Sequence, residues 1–427
     1  MLSHVLLEVE KIKPDQTIVV HSPSYTDLIK NTATNFSKTK FVAQEQPLGT
    51  GDALKAATPS LDKGNNVLVL LGDVPLVKAK TLKALKEGIE NADILVLTTK
   101  LEKPTNYGRI KRDEQNKVMA IVEETECNNE EKKINEINSG IIAFSREHLE
   151  ELLSGLDASN KKGEYYLTDT IEMAHNKGLK VDTIITSSSE VFGVNDKKDL
   201  AEAERLKRAE LTNALMEQGV TICDPTRIDI RGTLKCGDDV YIDVNTVFEG
   251  DVELSNGVTV RPFTSISNSY IGENTEIKAY STIDHSKIGN DCIIGPYARL
   301  RPGSDLKDES RVGNFVEIKK STIGERSKVP HLTYVGDTTV GTDSNIGAGT
   351  ITCNYDGANK HNTQIGDNVF IGSGVELVAP VLIEDGATIG AGSTISKSAP
   401  KGKLTLERAK QKTVDGWQRP SKSKDKK

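Results

Sequence analysis

Through the C-terminal half of the chain an aliphatic residue recurs at steps of six: Ile242, Leu254, Val260 and Ile266, then Ile271, Ile277 and Ile283, then Ile288, Ile294, Leu300, Leu306, Val312 and Ile318. The register drops by one at Ile323, resumes through Val329 and Val335, and returns as Ile365, Ile371, Leu377, Ile383, Ile389 and Ile395. This period fits neither the ~3.6 of a helix nor the ~2 of a simple strand, and marks hexapeptide repeats wound into a β-helix. Each hexad forms one side of a coil with its aliphatic side chain inside. One hexad cannot bury that side chain alone, so stability comes from stacking on neighbours, for which about twenty hexads suffice. A β-sandwich, the rival reading, calls for period-2 alternation and Asn-Gly or Asp-Gly hairpins, which are scarce here. Glycine often follows the aliphatic residue, as at Gly272, Gly289, Gly295, Gly324, Gly366, Gly372 and Gly390, which predicts corners of unusual φ/ψ.

The N-terminal half is patterned differently. Apolar runs at 17–21, 40–44, 67–72 and 93–99 read as strands, separated by helices at about 25–36, 50–61 and 78–90. That is βαβ order, and a run as apolar as 67–71 is expected in the middle of a parallel sheet covered on both faces. Ligands then belong at the strands' carboxyl ends. Asp73 follows such a strand, where its carboxylate can meet a cation or serve as a solvated turn residue. The stretch 44–51 links a strand to a helix, and its glycines permit close approach of a ligand to backbone N–H groups, or the stretch is only a helix start capped by Thr50. From 196 to 219 runs a charged helical stretch whose Leu200, Leu206, Leu211 and Leu215 suit one face. The chain is therefore read as an α/β domain over 1–195, a helical linker over 196–219, and a β-helical domain over 220–427 ending in a disordered basic tail from Lys422.

Composition adds exclusions. A length of 427 residues allows at least two cores, and a net charge of −7 with interspersed signs offers no basic field for nucleic acid. No apolar run approaches the ~20 residues of a membrane span. Five cysteines without C-x-x-C spacing argue against a disulfide framework or zinc site and suit a reducing cytoplasm.

The two halves in this order resemble the bifunctional enzymes of bacterial UDP-N-acetylglucosamine synthesis, the N-acetylglucosamine-1-phosphate uridylyltransferase/glucosamine-1-phosphate acetyltransferase family. The resemblance rests on QEQPLGTGDA from Gln44, LLGDVPL from Leu70, NYGRI from Asn106, IVEE from Ile121, NSGI from Asn138, EYYLTD from Glu164 and FGVND from Phe192. In the second half it rests on RLRPGS from Arg299, VGNFVEIKKS from Val312, HLTYVGD from His331 and GAGTITCNYDGANKH from Gly347, the last interrupting the hexads as an inserted loop. It implies a Rossmann-like, mostly parallel nucleotidyltransferase fold followed by a left-handed parallel β-helix. One departure stands out: the family's first strand, its G-x-G-T-R loop and a following lysine have no counterpart. The resemblance thus implies a domain truncated by about thirty residues, with uridylyltransferase activity impaired because phosphoryl chemistry depends on positioning and charge stabilisation.

By resemblance, Asp73 and Asn195 bind Mg²⁺, Gln44, Gly49 and Thr50 the uracil side of UTP, and Gly108, Glu123 and Asn138 the sugar, with Asn195 also among the nucleotide-sugar contacts. Acetyl transfer needs a base to free the amine of glucosamine-1-phosphate, and His331 stands at the family's position for it. Arg301, Lys319 and Lys360 match the sugar-phosphate cations, and Tyr334 and Asn345 the sugar contacts. Ala348, Asn354, Tyr355, Ser373, Ala391 and Arg408 match the acetyl-CoA site. The resemblance also implies a homotrimer acting on small molecules, ending in N-acetylglucosamine-1-phosphate and UDP-N-acetylglucosamine. Three other readings are weighed: a β-helical metalloenzyme, for which His285, His331 and His361 would have to converge, a non-catalytic sugar-nucleotide scaffold, and an acetyltransferase alone.

Overall fold

The apolar runs of the first half become strands β1 (Thr17–His21), β2 (Thr39–Ala43), β3 (Val67–Val69), β4 (Ile94–Lys100), β5 (Arg109–Arg112), β6 (Val118–Val122), β7 (Glu136–Phe144) and β8 (Val181–Ile185). Helices α1 (Leu2–Lys11), α2 (Thr26–Ala33), α3 (Thr50–Ala57), α4 (Ala79–Gly88), α5 (Arg146–Ser154) and α6 (Asp169–Asn176) alternate with them, and α7 (Lys197–Glu217) carries the chain onward. The computed structural model describes residues 1–33, 36 and 39–420. The end of the predicted helix 25–36 and the basic tail fall partly or wholly outside them. Two compact units emerge, Met1–Lys207 and Arg208–Lys427.

In the first unit β1 and β2 pair in parallel as a sheet of their own, while the other strands order as β6-β5-β7-β4-β8 with β3 also on β7. The sequence pattern predicts a mostly parallel sheet, yet this one is mixed: β4 and β8 are parallel, and β7 runs antiparallel to β3, β4 and β5. The run at 67–71 is accordingly not mid-sheet. Only Val67–Val69 is strand, half-buried and antiparallel to β7. Its apolar side chains pack beneath α-helical cover, and apolar content reports burial without reporting the direction of the neighbour. Helix α4 buries Leu82 and Leu85 completely, the spacing expected of its inward stripe. In α7, by contrast, Leu215 alone of the four expected leucines is buried, and Ala203 and Thr212 are buried as well.

Asp169 opens α6, where an N-terminal carboxylate is ordinarily favoured. Burial and the carboxylates of Asp157, Glu123 and Glu172 outweigh that and push its pKa up to about 6.

The second unit is the expected β-helix. The hexad residues from Ile242 to Ile395 are all 4% exposed or less, so the six-residue period does mark the interior. Parallel ladders set the coil length: Ile266 lies on Ile283, Ile283 on Leu300, Leu300 on Ile318 and Ile318 on Val335, steps of seventeen or eighteen residues. The dropped register at Ile323 is one of these shorter coils. Between Thr352 and its partner Leu377 the step widens, because residues 354–361 leave the coil as a hairpin bridged at Tyr355 and Lys360.

Of the glycines after the hexad residues only Gly295, at φ 87°, takes the predicted unusual backbone, and the other six serve a different purpose. Gly272, Gly289, Gly324, Gly366, Gly372 and Gly390 have ordinary φ, and a Cβ at Gly272 would stand 2.5 Å from the Gly289 carbonyl carbon of the next coil. Close approach of backbones requires them. Left-handed corners instead carry side chains, among them Phe263, Tyr280, Tyr297 and Phe315, whose rings stack at 4.8–5.2 Å up one edge. Such aromatic stacking helps to offset the backbone strain of positive φ.

Two stability predictions follow from this packing. Ile288→Ala, which leaves a cavity between coils, lowers unfolding stability by about 2–5 kcal/mol in denaturant titration, with secondary structure retained by circular dichroism. For Asp169, a raised folded pKa favours the native state below the carboxyl's ordinary range, and that contribution is lost as pH rises towards 6. Asp169→Asn is therefore expected to raise the Tm of the N-terminal unit above that of the unaltered chain at pH 7, with the two converging below pH ~4 in calorimetry.

Candidate functional site

In the N-terminal unit the stretch 44–51 is clamped against residues 165–167. Gly51 donates its N–H to the Tyr165 carbonyl at 2.8 Å, Tyr165 donates to Leu48 at 2.7 Å, and a Cβ on Gly49 would stand 2.6 Å from the Tyr165 oxygen. Gly49, at φ 110°, is itself the cap of α3 and makes no side-chain capping bond. Thr50 is thus not the helix cap. Its hydroxyl accepts the N–H of Leu167 at 3.2 Å. Gln44 Nε2 donates to the Gly49 carbonyl at 3.2 Å and to Asp52 at 2.7 Å, which fixes the amide at the mouth of the loop.

A second cluster forms where β5, β6 and β7 meet. Asn138 donates its N–H to the Gly108 carbonyl at 2.9 Å, and its side-chain oxygen accepts the N–H of Gly140 at 3.0 Å. A Cβ on Gly108 would meet Ile121 at 2.9 Å and the Glu123 carboxylate at 3.4 Å. Burial pushes the Glu123 pKa up, partly countered by a 3.0 Å hydrogen bond from Thr168. Gly108, Glu123 and Asn138 are therefore brought together.

Asp73 and Asn195 are joined through the backbone, since Val194 donates to the Asp73 carbonyl at 2.9 Å. Asn195 N–H in turn meets Asp199 at 3.0 Å, and Tyr107 lies close enough to Asp199 and Asp73 that burial and their charges raise its pKa. Among the described residues no three His, Cys, Asp or Glu side chains gather as a metal-holding group. One carboxylate and one amide oxygen are nonetheless a donor set that suits Mg²⁺, which keeps waters and takes further oxygens from phosphates.

In the β-helix, His331 ends the strand Lys328–His331, in register with Asn314 on the coil before, and its Nδ1 lies 2.6 Å from Asn314 Oδ1. From His331 one edge can be followed coil by coil. Gly349 donates its N–H to the His331 carbonyl, Gly374 to that of Ala348, Gly392 to that of Ser373, and Arg408 Nη1 reaches the carbonyl of Ala391 at 3.2 Å. The expected residues Ala348, Ser373, Ala391 and Arg408 thus form one column above His331. Below His331 the adjoining corner carries the aromatic ladder and Leu332. Above it the same corner holds Gly349, Gly374 and Gly392, and a Cβ at Gly374 would touch nothing within 4 Å. The upper edge is an open, narrow strip.

The adjoining face gathers cations. Arg301 pairs with Glu317 at 2.8 Å, and Lys319 stands 4.0 Å from Asp337. The ammonium of Lys319 pushes the Lys360 pKa below the usual lysine range, so the two lysines are near neighbours that favour an incoming anion. Buried Asn354 donates to Asp337 at 2.6 Å and lies 3.4 Å from the Tyr334 hydroxyl. Tyr355, in the hairpin, is exposed with its hydroxyl donating to Gly357 at 2.6 Å. Asn345 sits on the strand that pairs with Lys328 and Phe370.

Asn314, Glu317 and Asp337 are the residues that sequence reasoning misses. Each lies one coil from an expected residue, so counting seventeen or eighteen positions would have found them. His285 and His361 do not join His331: the first pairs with Asp284 and the second with Asp356.

Comparison with known proteins agrees with this division. A nucleotidyl transferase family model matches residues 1–190, and a bacterial transferase hexapeptide model matches residues 285–320 and 362–397. The bifunctional protein GlmU of Cupriavidus pinatubonensis is 48% identical over 423 residues, covering 99% of this chain and 93% of the relative. Those of Nitrosomonas europaea and Nitrosomonas eutropha are 48% and 47% identical over 427 residues, each covering 100% of this chain and 93% of the relative. Neither the expected truncation nor the impaired activity inferred from it is borne out by alignments that take in essentially the whole chain. With a nucleotidyl transferase unit, a hexapeptide unit and nearly half its residues shared along its full length, the chain belongs to the GlmU family of bifunctional proteins and is a bifunctional transferase.

Proposed function

We propose that the C-terminal unit transfers acetyl from acetyl-CoA to glucosamine-1-phosphate and that the N-terminal unit then joins N-acetylglucosamine-1-phosphate to UTP. The products are UDP-N-acetylglucosamine, a precursor for peptidoglycan and lipopolysaccharide, and pyrophosphate. The observation that carries the reading is His331 at the foot of an open strip of small residues ending at Arg408, beside the face bearing Arg301, Lys319 and Lys360.

The chemistry maps onto that strip. The amine of glucosamine-1-phosphate attacks the thioester carbon while His331 takes its proton, and the C–S bond breaks to release the CoA thiol. Arg301, Lys319 and Lys360 hold the sugar phosphate, with Tyr334 and Asn345 on the sugar. The pantetheine arm lies along Ala348, Ser373 and Ala391 with Arg408 on its phosphates, and Asn354 and Tyr355 border the acetyl group. A homotrimer, in which neighbouring β-helices flank each site, fits the closed symmetry usual for such repeats.

In the other unit Gln44, Gly49 and Thr50 take the uracil side, Gly108, Glu123 and Asn138 the sugar, and Asp73 with Asn195 the Mg²⁺ that would offset phosphate charge when bound. The chain's own part is to orient both reactants in the clamped loops. No helix among the described residues is long and apolar enough to cross a membrane, and the unpaired cysteines suit a cytoplasmic setting.

Purified chain given acetyl-CoA and glucosamine-1-phosphate is expected to release thiol, and adding UTP and Mg²⁺ to release pyrophosphate. EDTA is expected to abolish the second signal and spare the first. His331→Ala lowers kcat for thiol release by about 10²–10⁴-fold with the fold intact, and an unchanged kcat removes it as the base. Arg301→Ala mainly raises KM for glucosamine-1-phosphate, by about tenfold or more; steady-state kinetics with an unaltered KM would take it out of the phosphate site.

A further inference from the structure

Three histidines of the β-helix make close side-chain pairs, and they differ in the partner. His285 Nδ1 meets the Asp284 carboxylate at 2.6 Å and His361 Nε2 meets that of Asp356 at 2.7 Å. His331 Nδ1 meets instead the neutral amide of Asn314, at 2.6 Å. Gly349 bonds its carbonyl from the next coil, and Arg311 and Lys328 lie at the far ends of the two strands that carry Asn314 and His331. Among the described residues His331 makes no ion pair.

That choice of partner has chemical content. A carboxylate on an imidazole favours the protonated ring, which has no lone pair to accept a proton. An amide oxygen accepts a hydrogen bond without adding charge. With Oδ1 facing Nδ1, the contact is a hydrogen bond when Nδ1 carries the hydrogen, which in the neutral ring leaves the lone pair on Nε2. The Asn314–His331 register of the parallel ladder holds both side chains on the same edge, so the amide also fixes the ring plane.

We propose that Asn314 is a positioning residue for acetyl transfer, which holds His331 in the Nδ1–H tautomer and fixes the ring plane, with Nε2 directed to the substrate as the base. The proposal rests on the reading of His331 as that base. Asn314 does not touch the substrates. Its effect passes through the imidazole.

The test compares the full chain with Asn314→Ala, Asn314→Asp and His331→Ala, measuring pH profiles of kcat for thiol release together with imidazole ¹⁵N shifts on histidine-labelled protein, His331 being assigned from His331→Ala. Expected are the Nδ1–H tautomer in the unaltered chain and a kcat lower by about ten- to a hundred-fold in Asn314→Ala. Asn314→Asp, which keeps the acceptor, retains the high-pH plateau but shifts the acidic limb upward by about one pH unit or more. A merely structural asparagine would change Tm without moving that limb, and the near-isosteric Asp variant still reads out if the Ala variant does not fold. An inactive His331→Ala with unmoved Asn314 profiles overturns the positioning role and leaves the base in place. A fully active His331→Ala overturns the base and this proposal with it, and an Nε2–H tautomer in the unaltered chain overturns the proposal alone.

Discussion

The parallel ladder between successive coils is the constraint on which the C-terminal unit depends. Strands there hydrogen-bond to the coil before and to the coil after, so a residue's neighbour is fixed at seventeen or eighteen positions along the chain, except where the inserted hairpin widens the step. Interior aliphatic side chains stack because that register holds, and the register holds because a slip would carry a polar residue inside. Glycines after the hexad residues are a cost of the same closeness, since a side chain there would strike the next backbone. Function then needs only to vary the outward positions of a scaffold already determined.

Variation of that kind is what the His331 edge displays. Below it the corner is filled by rings and Leu332. Above it the corner is emptied by glycines, and the residues beside them are Ala348, Ser373 and Ala391. On the adjoining face Asp337, almost fully buried, lies among Lys319, Lys320 and Asn354 and holds their polar ends in place. A buried carboxylate beside lysines lessens their mutual repulsion before any anion arrives, while leaving the cluster positive.

The sequence made the solenoid legible because its period is an outcome of closed coils and of nothing else common in proteins. The α/β unit was legible in element order but less so in connectivity. The run at 67–71 reads the same whether its neighbour is parallel or antiparallel, and only the return path of β7, after the β5–β6 hairpin, decides it. Except at Gly295, the role of the glycines after the hexad residues was misread, because composition cannot separate a need for positive φ from a need for space. At the site, motif residues such as His331 and Arg301 stood out, whereas Asn314, Glu317 and Asp337 did not. Their partners are a full coil away, a distance that no contiguous motif spans.

The column from His331 to Arg408 also sets a length. From His331 to Ala391 it climbs three strand spacings of about 4.8 Å, or about 14 Å, a rise dictated by backbone hydrogen bonding, and the Arg408 guanidinium on the Ala391 carbonyl closes its upper end. On the proposed reading of this strip, the edge is a graduated ruler laid beside the donor. A molecule whose reactive carbonyl sits at the bottom mark and whose charged end falls at the top mark engages both His331 and Arg408, and one shorter or longer by a coil engages only one of them. Selection by reach would then be built into the winding itself, and inserting a single coil would change which donors fit while leaving every contacting residue unaltered.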